Sequence, residues 1–167
     1  MNRVAEAMRQ LIADSLIENY ALGGASALAF YTEPVLTYDL DIFVLVRTDS
    51  QLMTMSPLYQ RLTAMGYSTQ GEVILIGEVP VQILVAYNPL VEEAVAHAKE
   101  MPFNGDTIRV ITPEYLIAIA LQTGRYKDRE RVRLLLEQAT IDISVLEDIL
   151  KRHHLLDRWE SIRRQME

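Results

Sequence analysis

Two aspartates separated by one residue, Asp39 and Asp41, stand at the start of an apolar run. Side chains alternate along a strand, so both are expected to project from one face, with α-carbons about 6.6 Å apart. Carboxylates this close repel one another, and a hard cation such as Mg²⁺ relieves the repulsion while it binds phosphate oxygens. Because Asp is common where strands begin, the pair alone is equally consistent with two solvated turn residues.

A glycine pair precedes the aspartates and gives them a context. Gly23 and Gly24 let backbone N–H groups approach a ligand, Ser26 follows, and the next helix offers its N-terminus to phosphate. A Gly-Gly pair by itself is typical of an ordinary helix cap. The complete order is more restrictive: glycines, small hydroxyl, short helix, linker, Thr37-x-Asp39-x-Asp41 and apolar strand. This order favours a site for a metal-bound phosphate compound.

The elements that must position these residues follow from hydrophobic spacing and turn signals. The first helix contains Val4 to Leu16 and is expected to end before Gly23; other helices cover Ala25–Tyr31, Ser56–Gly66, Pro89–Lys99, Glu114–Gln122, Asp128–Gln138, a segment opened by the capping box Ser144-x-x-Glu147, and Leu156–Met166. Strands are expected over Leu40–Val46, Glu72–Ile76, Val79–Ala86 and Thr107–Ile111, with a hairpin at Gly77-Glu78.

This element order predicts an α/β (α+β) fold with a mixed β-sheet flanked by helices, because an internal hairpin disfavours a purely parallel, doubly wound sheet. We expect residues 1–111 to form the α/β core. Residues 112–167 are expected to form a C-terminal helical segment packed on that core, within one compact domain.

Composition excludes several classes of function. The chain has 167 residues, half of them apolar, and a net charge of -7, which disfavours sequence-independent adhesion to nucleic acid. The absence of cysteine excludes disulfides and Cys-ligated zinc. Without a signal-peptide h-region or an apolar stretch of about 20 residues, we expect a cytoplasmic protein that does not enter a membrane.

The full motif order resembles the minimal nucleotidyltransferases of the DNA polymerase β-like superfamily, particularly the bacterial AbiEii-toxin-like branch. The resemblance implies transfer of a nucleoside monophosphate from an NTP to an acceptor hydroxyl. It implies that Gly23, Gly24 and Ser26 form the phosphate-binding turn, with Thr37 beside it. It also implies that Asp39 and Asp41 are catalytic residues that bind Mg²⁺.

A second block extends the resemblance. The segment from Gly124 to Asp128 is similar to the R-x-K-D turn of the same branch, which implies nucleotide contacts for Arg125, Lys127 and Asp128. A charge run of this kind is also typical of a solvated helix face. The implied partners are an NTP and an acceptor that is RNA, protein or a small molecule. An antitoxin or a second copy of the chain is a further implied partner.

Two positions depart from the family pattern. Relatives carry a third acid on a later strand, where this chain has Gln82, and a lysine where it has Ala120. An amide carries no negative charge, so Gln82 at the third catalytic position weakens the case for a second, activating metal. Glu72 and Glu78, near the hairpin, are alternative sources of the missing acid.

Three functions therefore stay open. The first is an Mg²⁺-dependent nucleotidyltransferase. The second is a catalytically silent module of the same fold that binds nucleotide or a partner in a toxin-antitoxin or phage-defence system, which Gln82 and Ala120 favour. The third is a structural protein with Asp39 and Asp41 as surface acids, which the motif order disfavours.

Overall fold

A computed structural model describes residues 2–46 and 55–167. The chain begins with helix α1 (Arg3–Ala13), whose N-terminus is capped by the Asn2 side chain. Its apolar face, including Val4, Met8 and Leu11, is buried. Burial of one face is what the helical spacing of these residues predicts.

Helix α1 ends earlier than the sequence predicts, and a strand follows it. Ser15 adopts a left-handed backbone with φ of 58°, and the amide of Leu16 donates to the carbonyl of Leu11 at 3.0 Å, which closes the helix. Asn19–Gly23 then forms strand β1. The expectation that the first helix includes Leu16 was wrong, because Leu16 continues the helical spacing although the backbone turns at Ser15, before it.

Seven strands form one mixed sheet in the order β3-β4-β5-β2-β1-β7-β6. Their ranges are β1 (Asn19–Gly23), β2 (Leu40–Leu45), β3 (Ser68–Gln70), β4 (Val73–Ile76), β5 (Val79–Val85), β6 (Lys99–Phe103) and β7 (Asp106–Val110). Strand β2 pairs antiparallel with β1 and parallel with β5. The predicted mixed sheet flanked by helices is therefore confirmed.

The hairpin between β4 and β5 is confirmed, with both Gly77 and Glu78 at positive φ. Strands β3 and β6 were not predicted. Strand β3 has only three residues, all exposed. Strand β6 begins at Lys99, which was assigned to the preceding helix, and contains Pro102. Both lie at the sheet edges, where short or charged strands carry little hydrophobic signal.

The remaining helices are α2 (Gly24–Leu28), α3 (Ser56–Ala64), α4 (Pro89–Ala96), α5 (Pro113–Thr123), α6 (Tyr126–Gln138), α7 (Ile143–Arg152) and α8 (Leu156–Met166). The N-cap of helix α7 lies two residues before Ser144, the N-cap of the predicted capping box. The side chain of Asp142, rather than that of Ser144, accepts a hydrogen bond from the amide of Val145 at 3.2 Å.

The two faces of the central strands differ. On β2 and β5, the residues Ile42, Val44, Val81 and Ile83 are almost completely buried in the core. The opposite face bears Asp41 of β2 and Gln82 of β5, which are in register with each other. This face opens to a cavity. None of the described helices combines the length and apolarity that a bilayer crossing requires.

Candidate functional site

A cavity of about 990 Å³ lies between the open face of the sheet and helices α2, α5 and α6. The two sequence blocks that carry the family resemblance meet here, although about 80 residues separate them. Its wall includes most of the predicted site residues: Gly24, Thr37, Asp39, Asp41, Gln82, Arg125, Lys127 and Asp128.

The glycine turn connects β1 to α2 and lies directly against the aspartate strand. Gly23 is in register with Asp41 across the antiparallel pair, and a Cβ on Gly23 would lie 2.6 Å from the Phe43 ring. Gly24 has φ of +58°, and a Cβ there would overlap the Asp41 carboxylate. Gly23 is therefore required for packing alone, because its backbone is extended, whereas Gly24 is required for packing and for backbone conformation.

The two small hydroxyl residues are engaged within the fold. Ser26 is 3% exposed; its hydroxyl donates to the Gly23 carbonyl at 2.9 Å and accepts from the Asp41 amide at 3.2 Å. Ser26 thus ties the glycine turn to β2. The Thr37 hydroxyl donates to the Asp39 carbonyl at 2.9 Å, which shapes the chain just before the strand.

The electrostatics of the aspartate pair fit a bound cation. Burial raises the pKa of Asp41, the Asp39 carboxylate raises it further, and Arg131, Lys127 and Arg125 act in the opposite direction. Mg²⁺ commonly takes one or two carboxylates together with phosphate oxygens and water. The donor set of Asp39 and Asp41 therefore fits one Mg²⁺ that is shared with a phosphate ligand.

No third carboxylate joins Asp39 and Asp41 in a group that could hold a metal ion, as far as residues 2–46 and 55–167 are concerned. Gln82 on β5 is in register with Asp41 on the parallel neighbour β2 and lines the same cavity. Neither Glu72 nor Glu78 lines this cavity: Glu78 lines a separate pocket, and Glu72 lines a neighbouring pocket that shares Gln82 and Leu84 with the cavity. Ala120, on α5, contributes a methyl group to the cavity wall.

The first turns of α6 bring two arginines to the site, and a buried carboxylate, that of Asp128, holds both of them. Asp128 is 2% exposed and accepts hydrogen bonds from Nε of Arg125 at 2.9 Å and from Nη1 of Arg131 at 3.2 Å. It also accepts from the Arg125 amide at 3.1 Å. These hydrogen bonds hold the guanidinium groups of Arg125 and Arg131 in the wall of the cavity.

Sequence reasoning missed several residues of the cavity. Arg131 lies four residues after Lys127 and three after Asp128, a spacing that places it on the same helix face and gave a usable signal. Phe43, Leu84 and Tyr87 carried no such signal, because ordinary core and turn residues have the same types. The Phe43 and Tyr87 rings contact each other at a centroid distance of 6.4 Å.

No protein-family model matches the sequence, and a comparison with curated proteins finds no match either. Solved structures are similar in fold. An antigenic nucleotidyltransferase-like protein from Paracoccidioides brasiliensis has a TM-score of 0.56 at 16% identity, over 80% of this chain and 72% of that one.

The enzyme ANT(2″)-Ia, solved in complex with adenylyl-2″-tobramycin, has a TM-score of 0.52 at 14% identity, over 93% of this chain and 97% of that one. At such identities the likeness concerns the fold alone. The chain is therefore a mixed α/β protein with a nucleotidyltransferase-like fold.

Proposed function

We propose that the protein transfers a nucleoside monophosphate from an NTP to an acceptor hydroxyl, with release of pyrophosphate. The observation that supports this proposal is the contact between the Gly24 turn and Asp41, with Asp39 lining the same cavity. Backbone N–H groups at the start of a helix suit phosphate oxygens. When bound, Mg²⁺ would be held by Asp39 and Asp41 and would neutralise charge on the transferred phosphate.

The positive residues of α6 have a defined role in this proposal. Arg125, Lys127 and Arg131 all act on Asp41 electrostatically, so they lie near the position that the triphosphate would take. Guanidinium groups held by Asp128 lose little conformational entropy when they bind phosphate oxygens. The chain's own residues thus bind and orient the nucleotide, with the developing charge on pyrophosphate facing these cations.

A second candidate function is a silent nucleotide-binding module of the AbiEii-like branch that acts through an antitoxin or another partner protein. Gln82 beside Asp41 favours it. Two carboxylates are enough to bind one Mg²⁺-nucleotide, but an activating second ion would lack a charged ligand at Gln82. The two candidates share the nucleotide site and differ in turnover.

One experiment separates these candidates. Wild type, Asp41→Ala and Gln82→Asp are compared for Mg²⁺-dependent ATP binding by calorimetry and for transfer of label from each α-labelled NTP to a pool of cellular RNA, protein and small molecules. We expect ATP to bind wild type and binding to be lost in Asp41→Ala. We expect Gln82→Asp to raise transfer by about 10²-fold, since one added charge at such a site has effects of this size.

Label transfer by wild type that disappears in Asp41→Ala would establish the enzyme and show that the third acid is dispensable. ATP binding without transfer in either wild type or Gln82→Asp would favour the silent module. Unchanged ATP affinity in Asp41→Ala would contradict both candidates. Leu156→Asp, on α8 and outside the cavity wall, serves as the control for a substitution that only adds charge.

A further inference from the structure

Helices α5 and α6 run antiparallel along the cavity, which therefore has two ends that can be told apart by the chain. Gly124 forms the tight turn between them, with φ of +67°. The chain just after α6 returns to the start of α5, where the Asp142 amide donates to the Glu114 carboxylate at 2.9 Å. The turn therefore marks one end of the cavity, and the start of α5 marks the other.

Charge is concentrated at the turn end. Lys127 and Arg131 of α6 act on Asp41 there. Leu134 follows Lys127 by seven residues and Arg131 by three, which at about 1.5 Å per residue places it about 10 Å and about 5 Å further along the helix. Leu116 precedes Thr123 by the same number of residues on α5, so it lies towards the same far end. Both leucines line the cavity.

Further apolar side chains line the far end. The Glu33 amide donates to the Gln138 side chain at 2.7 Å, which brings the chain after α2 to the end of α6. Leu28 and Val35 flank this contact in sequence and line the cavity. Ile119 of α5 also lines it. The cavity volume of about 990 Å³ is at the upper end of the range for small-molecule sites, about 300–1,000 Å³.

The charges of the described wall decide which ligands suit this far end. Asp39 and Asp41 form the metal pair at the turn end, and Asp128 is bonded to two arginines. Glu130 is paired with Arg133 at 3.0 Å. A polycationic ligand would thus meet no unpaired carboxylate beyond the metal pair in this part of the chain. A polyanion would compete with the triphosphate for the cations of α6.

We propose that the apolar end binds the acceptor, and that the acceptor is an uncharged small molecule with an aromatic or aliphatic body and a hydroxyl group. This inference rests on the proposed function and deepens it. The acceptor oxygen forms a bond to the α-phosphorus, the bond from that phosphorus to the bridging oxygen of the leaving pyrophosphate breaks, and the hydroxyl proton is released to water. Apolar contact at Leu116, Ile119 and Leu134 supplies the binding.

The test uses three fluorinated probes of similar size that differ in charge: 4-fluorobenzyl alcohol, protonated 4-fluorobenzylamine and 4-fluorobenzoate. Their binding to the full chain is measured by ¹⁹F NMR with and without Mg²⁺-ATP. We expect the alcohol to bind at least about fivefold more tightly than either charged probe, and to stay bound when ATP is present. Leu134→Asp should weaken alcohol binding about tenfold, and Leu134→Ala less.

Leu156→Asp is the matched control, since Leu156 is partly exposed on α8, away from the cavity; circular dichroism verifies that each variant is folded. Tighter binding of the amine or the carboxylate would overturn the proposal. Displacement of the alcohol by Mg²⁺-ATP would also overturn it, because the apolar end would then hold the nucleobase. Alcohol binding with no ATP binding would instead overturn the proposed function and leave only the apolar site.

Discussion

Gly24 shows at the residue scale how backbone conformation and site chemistry are linked. Its φ of +58° is unfavourable for other residues, and the space of a Cβ is already taken by the Asp41 carboxylate. The two constraints are separable, because Gly71 has a similar φ of +64° but nothing within 4 Å of its Cβ position. A substitution at Gly71 therefore measures the free-energy cost of the left-handed backbone conformation alone.

We expect Gly71→Ala to lower the free energy of unfolding by about 1 kcal/mol. Gly24→Ala should lower it by more than about 2 kcal/mol, because Asp41 must also move. Gly24→Ala should in addition abolish Mg²⁺-ATP binding, which Gly71→Ala should leave intact. Urea denaturation and calorimetric titration measure the two effects. Equal losses of stability in both variants would mean that the contact with Asp41 is not limiting.

At the scale of elements, α6 owes its function to its first turn. Asp128 occupies the third position of the helix and accepts from the Arg125 amide, which caps the N-terminus. The same carboxylate holds Arg125 and Arg131. The helix start and the cation cluster are thus one structure, so a change at Asp128 acts on stability and on phosphate binding together.

Asp128→Asn is expected to lower the free energy of unfolding by about 2–4 kcal/mol, since a buried ion pair loses one partner. It should also weaken Mg²⁺-ATP binding, because Arg125 and Arg131 are released. Glu130→Gln is the control: its pair with Arg133 is about half exposed on both sides, so it should change stability by less than about 1 kcal/mol. An Asp128→Asn variant with wild-type ATP affinity would show that the arginines do not touch the nucleotide.

For the molecule as a whole, Glu93 joins three helices, α4, α5 and α7. Its carboxylate, on α4, accepts hydrogen bonds from Tyr115 of α5 at 2.9 Å and from Arg152 of α7 at 2.7 Å. His153, the residue just after α7, has its Nε2 atom 3.2 Å from the same carboxylate. Burial alone would raise the pKa of Glu93, but these hydrogen bonds outweigh it and lower the pKa to about 2.

A carboxyl with a depressed pKa in the folded state stabilises the protein above its unfolded pKa. For Glu93 this contribution should be present above about pH 4.5 and be lost as the pH falls towards about 2. We expect Glu93→Gln to cost about 2 kcal/mol at neutral pH. The difference from wild type should shrink at about pH 3. Denaturant titrations at both pH values measure it, and a difference independent of pH would contradict the role of the charge.

The sequence by itself determined the mixed α/β architecture, most of the helices and the pairing of a glycine turn with Asp39 and Asp41. Those features depend on local spacing and on turn residues, which a single sequence displays directly. Strand β1 was not predicted, because Leu16 extends the helical spacing of α1. Strand β6 was not predicted, because an edge strand that contains Lys99 and Pro102 shows little alternation of apolar and polar residues.

Only the tertiary structure decided how the separated segments meet. The register of β2 with β5 puts Gln82 beside Asp41, and the α5–α6 pair brings Arg131 to the same cavity. The apolar end of that cavity, with Leu116 and Leu134, had no sequence signal. A leucine that lines a ligand site and a leucine that fills the core have the same local pattern, and only long-range packing distinguishes them.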